Sequence, residues 1–206
     1  MSELKDRSKT AEDISTERKT NKSNLYLGHR TMNNEVNETN ESTNTSQSKW
    51  DAFFMSIALV TSLKSKDTNT KVGAVLVDKE QHIIGTGYNG FPRGIDDDAL
   101  PMDRTGEWTS TKYPYVVHAE LNCILNSIMS AKGGSMYCTL FPCNECAKAL
   151  IQTGVKRIVY LWDKHHDEDA YKASRKLLSM AGVITEQIAE SAVSGFIRLQ
   201  NLSPYL

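Results

Sequence analysis

Residues 135–161, SMYCTLFPCNECAKALIQTGVKRIVYL, read as strand, helix and strand. Ser135 to Leu140 is the first strand of this unit and Cys143 to Thr153 the helix. Gly154 stands where a left-handed residue ends a helix, and Arg157 to Leu161 is the second strand. A helix between two such strands implies a crossover within a sheet that is covered on both faces.

Working outward toward the N-terminus, Val72–Val77 is a continuous apolar run and His82–Tyr88 a second strand, with Lys79-Glu80-Gln81 between them. So short a connection makes the two an antiparallel hairpin. Trp50, Phe53, Phe54, Ile57, Ala58 and Leu63 recur at helical spacing. Ser48 followed by Asp51 is a capping-type start for that helix, and Asp67-Thr68-Asn69-Thr70 breaks it. His118–Met129 is predicted as a helix with Leu121, Ile124, Leu125 and Ile128 on one face. The polar, Gly- and Pro-marked stretch from Asn89 to Tyr113 is a long loop, and loops of that length inside a domain are usually functional or mobile. Beyond the central unit, Asp167–Ala181 is a helix stopped by Gly182, and Val183–Ile188 a strand. In the tail from Ala189, Phe196, Ile197 and Leu199 suggest a short docking helix. The expected architecture is α/β: three layers, a five-stranded mixed sheet with helices on both faces.

The chain has 206 residues and a formal net charge of −1. Residues 1–48 are rich in Ser, Thr, Asn, Glu and Lys and hold almost no aliphatic clusters, so they bury too little apolar surface to offset ordering entropy. They are expected to form a disordered arm, with residues 49–206 as the folded domain. Taking the arm's 7 Lys/Arg and 8 Asp/Glu from 24 and 25 leaves 17 of each. A near-neutral domain and a sequence pI near 6.5 argue against a polynucleotide partner, which calls for a basic stripe. No stretch is apolar and long enough to span a membrane, and no signal peptide is recognisable. Two of the four cysteines form a C-x-x-C pair, which points to metal or redox work in a reducing cytoplasmic or nuclear compartment.

The chemistry concentrates in His118-Ala119-Glu120 and Pro142-Cys143-Asn144-Glu145-Cys146. One imidazole and two thiolates suit a tetrahedral Zn2+ with one position left open for water. Zinc lowers the pKa of such a water to about 7, and Glu120, which is not needed as a ligand, can move protons. Both groups fall at predicted helix starts, whose partial positive charge favours thiolates at Cys143 and Cys146. H-x-E joined to P-C-x-x-C is the signature of zinc-dependent base deaminases. Cys123 and Cys138 read as small buried hydrophobes, His29 as part of the arm, and His82 as a surface residue. His165 and His166 follow a strand at the carboxyl edge where ligands of open α/β sheets collect, so both are candidate substrate contacts.

From about Trp50 to Gly182 the chain resembles the deoxycytidylate deaminases. The resemblance is carried by Asn69-Thr70-Lys71-Val72-Gly73-Ala74, Gly87-Tyr88-Asn89-Gly90-Phe91-Pro92, Lys112-Tyr113-Pro114-Tyr115, His118-Ala119-Glu120-Leu121-Asn122 and Leu140-Phe141-Pro142-Cys143-Asn144-Glu145-Cys146-Ala147-Lys148. It implies the cytidine-deaminase-like fold and hydrolytic conversion of dCMP to dUMP for thymidylate synthesis. It implies zinc on His118, Cys143 and Cys146, Glu120 as proton shuttle and Asn69 on the sugar. It further implies a homo-oligomer, often a hexamer, activated by dCTP and inhibited by dTTP, with the effector and an accompanying Mg2+ near Tyr88, Asn89 and Gly90. A plainer reading of that segment is a tight turn in which Gly90 supplies a positive φ. Two residues depart from the family pattern: His165 stands where relatives often carry Tyr, and Cys123 where they usually carry Ala. Arg93, Arg104, Lys112, Lys164 and His166 are the candidate phosphate donors.

Three other readings stay open at this level. A polynucleotide deaminase would need a basic channel with stacking aromatics. A free-nucleoside deaminase would need no phosphate pocket. A non-catalytic zinc module would have no use for Glu120.

Overall fold

The structure, a computed structural model, describes residues 47–197. The expected polar arm up to Ser46, His29 within it, and Leu199 lie outside those residues.

A helix over residues 47–62 (α1) leads into β1 (Gly73–Val77) and β2 (Ile83–Tyr88). A long loop with one 3-10 turn at Trp108–Ser110 precedes α2 (Ala119–Leu125). Then follow β3 (Ser135–Leu140), α3 (Asn144–Thr153), β4 (Arg157–Trp162), α4 (Asp169–Met180), β5 (Ile184–Gln187) and α5 (Glu190–Ile197). The sheet order is β2-β1-β3-β4-β5. β1 runs antiparallel to both β2 and β3, while β3, β4 and β5 are parallel. The mixed five-stranded sheet is therefore as expected.

Alternation along the strands builds a core on each face of the sheet. Ala74, Leu76, Met136, Cys138 and Ile158 pack with Ala119 and Cys123 of α2, Ala147 and Leu150 of α3, and Leu178 of α4. Val75, Val77, Tyr137, Val159 and Leu161 pack with Phe54, Met55 and Ala58 of α1 and Val193 of α5. Helices thus cover both faces, giving three layers. Among the described residues no helix is long and apolar enough to cross a membrane.

Three local expectations need correction. α1 is already helical at Gln47, and Asp51 is a buried ion-pair partner of Arg157 in place of a capping residue. The second helix ends at Leu125, because the chain turns and the Ile128 N–H donates to the Ile84 carbonyl at 3.0 Å. Its buried face is also different: Ala119, Glu120 and Cys123 face inward, whereas Leu125 is 69% and Ile128 83% exposed. The cause lies on β2. A Cβ at Gly87 would stand 2.3 Å from the Ala119 carbonyl oxygen and 2.3 Å from the Cys123 nitrogen, so α2 rests directly on the strand backbone. Only small side chains fit beneath it. β5, for its part, is exposed along its whole length, as an edge strand.

Candidate metal centre and active site

His118 and Cys143 each occupy the position just before the first turn of a helix, α2 and α3 respectively. Both have extended backbones, with φ/ψ of −67/155° and −71/173°. Their carbonyls accept the first helical N–H groups, from Asn122 and Ala147, each at 2.9 Å. Neither side chain caps its own helix, so both remain free for other partners. Cys146 lies in the first turn of α3.

The three side chains converge. His118 Nδ1 lies 3.4 Å from the Cys143 sulfur and 3.5 Å from the Cys146 sulfur, and one donor atom from each residue falls within 4.8 Å of the others. Zn–S near 2.3 Å and Zn–N near 2.0–2.1 Å at a tetrahedral angle put sulfur and nitrogen roughly 3.6 Å apart. The donor spacing therefore fits a zinc ion. All four cysteines are free thiols, and the two in the cluster are buried.

The electrostatics of the bare cluster are those of groups sharing protons. The hydrogen bond to Cys143 raises His118 to about 9 against the opposing effect of burial. The contact with Cys146, helped by His118, lowers Cys143 to about 4. Cys146 goes the other way, raised by Cys143 and by burial. The expected preference for thiolate therefore appears at Cys143 and not at Cys146, because a neighbouring thiolate opposes a second negative charge.

Glu120 is 4% exposed. Burial raises its pKa, with the His118 charge pulling the other way. Tyr171 of α4 is raised too, by burial and then by the negative charges of Cys143 and Glu120. His165 stacks on Tyr171 at 5.1 Å between ring centroids, and its Nδ1 lies 2.6 Å from Glu168 Oε1. Tyr171, the stacking partner of the candidate His165, is not singled out by the sequence; within an amphipathic helix it carries no local signal.

The other candidates have other partners. Asn69 is exposed and donates from its side chain to the Met102 carbonyl at 3.3 Å, joining the turn after α1 to the long loop. Lys164 lies over the Trp162 ring at 5.0 Å, beside a cavity of about 460 Å³ lined also by Gln187 and Glu190. His166 pairs with Asp167, and His82 with Asp78 at the surface. Among the phosphate candidates, Arg93 donates to Asn126 and Arg104 to the Tyr113 hydroxyl at 3.4 Å. Lys112 must be withdrawn from that set: it is 7% exposed and its ammonium is bound to Asp67.

At the end of β2, Tyr88 is exposed and its carbonyl accepts from Asn122 at 2.8 Å. The Asn89 side chain is turned inward. It accepts the Val72 N–H at 2.8 Å and donates to Asp67 and to the Thr70 carbonyl at 3.2 and 2.9 Å. Both amide hydrogens of that side chain are thus taken up inside the chain, and Asn89 ties β1 to the turn after α1. Gly90 exchanges backbone hydrogen bonds with Val117 at 3.1 and 2.9 Å. It is not among the residues with positive φ, so the tight-turn explanation of this glycine does not hold.

Residues 48–162 match the model of the cytidine and deoxycytidylate deaminase zinc-binding region. The chain belongs to the cytidine and deoxycytidylate deaminase family. It is 52% identical to human (Homo sapiens) deoxycytidylate deaminase over 137 residues, which are 66% of this chain and 77% of that protein. A probable deoxycytidylate deaminase of Drosophila melanogaster is 46% identical over 141 residues, covering 65% of this chain and 70% of that protein. Among solved structures, the dCMP deaminase of cyanophage S-TIM5 in complex with dCMP and dUMP superposes with a TM-score of 0.53 at 30% identity, covering 66% of this chain and 93% of that one. Family membership makes this a zinc-binding deaminase domain, in agreement with the spacing of the three donors.

Proposed function

We propose that this deaminase hydrolyses dCMP to dUMP and ammonia and so supplies dUMP for thymidylate synthesis. One observation carries the reading: a three-donor cluster with zinc spacing has a buried carboxyl, Glu120, two residues beyond its histidine. The substrate is chosen from the relatives, since proteins named deoxycytidylate deaminase reach 52% identity and a solved one holds dCMP and dUMP.

His118, Cys143 and Cys146 would hold Zn2+, which lowers the pKa of a water in its open position to about 7. Glu120 accepts a proton and passes it to the ring nitrogen beside the amine-bearing carbon. As the water oxygen bonds to that carbon, Glu120 takes the second proton of that oxygen and delivers it to the amine, whose bond to the carbon breaks, so that dCMP and water become dUMP and ammonia. A carboxyl raised by burial suits that exchange, because acid–base catalysis works best when the pKa approaches the operating pH. Asn69 contacts the sugar. His165, stacked on Tyr171, borders the base or sugar, and Lys164 or His166 assists at the phosphate.

The same reading includes a homo-oligomer, with dCTP and dTTP as opposing effectors and Mg2+ accompanying the triphosphate. Tyr88 and Gly90 would receive the effector. The polar arm would precede the catalytic domain without taking part in the chemistry. Four reduced cysteines fit work in the cytosol or nucleus.

The test is a panel of dCMP, CMP, deoxycytidine, dAMP and cytosine-containing single strands, each with and without dCTP and dTTP, alongside zinc analysis. Rapid ammonia release from dCMP, with deoxycytidine much slower, is the expected result. Zinc-loaded protein that deaminates none of them overturns the reading; preference for the single strands replaces it with a polynucleotide deaminase.

A further inference from the structure

One carboxylate outside the metal cluster organises the loops around it. Asp67 is 2% exposed. Its Oδ1 accepts the backbone N–H groups of Asn69 and Thr70 at 2.8 and 3.0 Å, and its Oδ2 accepts from the Asn89 amide at 3.2 Å and from the Lys112 ammonium. Burial opposes its charge, but the Lys112 ammonium and the two N–H groups outweigh that and lower its pKa. Lys112 in turn supports the approach to α2. Its carbonyl accepts the N–H groups of Tyr115 and Val116 at 3.0 Å each. Val117 then pairs with Gly90, and His118 follows.

We infer that Asp67 is a positioning residue for nucleotide binding: by holding the Asn69 turn on one side and Lys112 on the other, it sets the gap between the sugar contact and the start of α2. The inference rests on the proposed role of Asn69. A mere stabilising clip is the competing explanation, and two facts count against it. A buried ion pair is seldom the best device for stability alone, since apolar replacements often equal it. Every group that Asp67 holds belongs to a segment at the cluster's end of the sheet. The other buried pair, Asp51–Arg157, ties α1 to the amino end of β4 at the opposite end.

The test uses the full-length, zinc-loaded enzyme. Asp67→Asn alone would strand the Lys112 charge, so Asp67→Asn is combined with Lys112→Met, which removes both charges together. The pair variant should retain its zinc and keep kcat within about threefold, as expected when binding and not chemistry is affected. Its KM for dCMP should rise by about tenfold or more, as displacement of a substrate-positioning loop predicts. Asn69→Ala should raise KM in the parent but add less than about twofold in the pair variant, the mark of residues acting as one unit. An unchanged KM in the pair variant, or additive effects, overturns the inference while leaving the Asn69 reading intact. If Asn69→Ala has no effect in the parent, the sugar-contact reading falls and the inference falls with it. Should the pair variant not fold, Asp67→Glu preserves the charge while lengthening the arm. A raised KM at parental kcat then supports the inference, and parental KM rejects it.

Discussion

His118 Nδ1 and the Cys143 sulfur face each other at 3.4 Å across the starts of two different helices. Each residue closes a stretch of extended chain and opens a helix, so the helix directions govern where the two side chains meet. Glu120 comes along with His118 as part of the first turn of α2. The cluster is therefore as rigid as the packing of α2 and α3 against the sheet, and its predictions concern packing as much as chemistry.

Glu120→Gln preserves shape and removes the exchangeable proton. Turnover of dCMP should fall by about 10²–10⁴-fold, the range for general acid–base groups, while zinc content and melting temperature stay at parental values. Steady-state kinetics with elemental analysis on one preparation checks both halves. Near-normal kcat would remove Glu120 from the mechanism.

Cys146→Ala takes away a buried sulfur donor. Zinc should drop well below the roughly one ion per chain expected of a three-ligand catalytic site, and activity should disappear with it. Treating the parent with a chelator should abolish turnover, and added Zn2+ should restore it. Full activity in metal-free protein would contradict the proposed role of the cluster.

Gly87→Ala tests the link between sheet and site. Its new methyl group would meet α2 backbone at 2.3 Å, so the helix must move, taking His118 and Glu120 with it. Overpacking of this kind costs about 1–3 kcal/mol. Zinc competition with a chromogenic chelator should show weaker binding even at temperatures where the variant is fully folded. Parental zinc affinity would show that α2 can shift without disturbing the ligands.

Gly90→Ala should behave in the opposite way. The nearest atom to its added Cβ is Tyr88 Cε2 at 3.8 Å, an ordinary contact, and its φ is not positive. Stability should stay within about 0.5 kcal/mol of the parent, as for surface substitutions generally. If an effector packs against this glycine, the variant should lose its response to dCTP and dTTP while retaining basal turnover. An undiminished response would move the effector elsewhere.

Arg157 binds Asp51 through two hydrogen bonds of 2.8 Å, and the Tyr137 hydroxyl donates to the same carboxylate. Arg157→Met leaves Asp51 buried without its cation, which should cost about 3–5 kcal/mol in urea unfolding. Burial opposes the Asp51 charge, but the Arg157 hydrogen bonds prevail and its folded-state pKa lies below the usual value. A depressed carboxylate contributes stability that is complete above the unfolded value near 3.9 and disappears as pH falls through the folded one. The parent should therefore lose stability more steeply than Asp51→Asn below about pH 4. Equal slopes in acid would show that Asp51 contributes little.

The hairpin and the strand–helix–strand unit were legible because each is a run of apolar residues with a short connection. The convergence of His118, Cys143 and Cys146 was legible because both motifs sit at helix starts after extended chain. What the sequence concealed depends on contacts between distant segments. The face of α2 was misjudged because Gly85 and Gly87 lie on another strand, and their missing side chains invite Ala119 and Cys123 inward. Asp67 and Lys112 are 45 residues apart in two polar loops, where charges ordinarily mean solvent. The inward turn of Asn89 onto Val72, Asp67 and Thr70 likewise leaves no trace in its own motif.

The long loop between β2 and α2 is tied to its surroundings at several points, among them Gly90–Val117, Asn69–Met102 and Asp67–Lys112, while the three donors stand at the helix starts beyond it. Under the proposed reading the sugar contact Asn69 and the base-side His165 stand in turns outside the helices that hold the donors, so recognition and reactivity would be carried by separable parts of the chain. Variation in those turns would then redirect which base or sugar is admitted without rebuilding the reactive centre, so one scaffold could serve many substrates by exchanging its doorway.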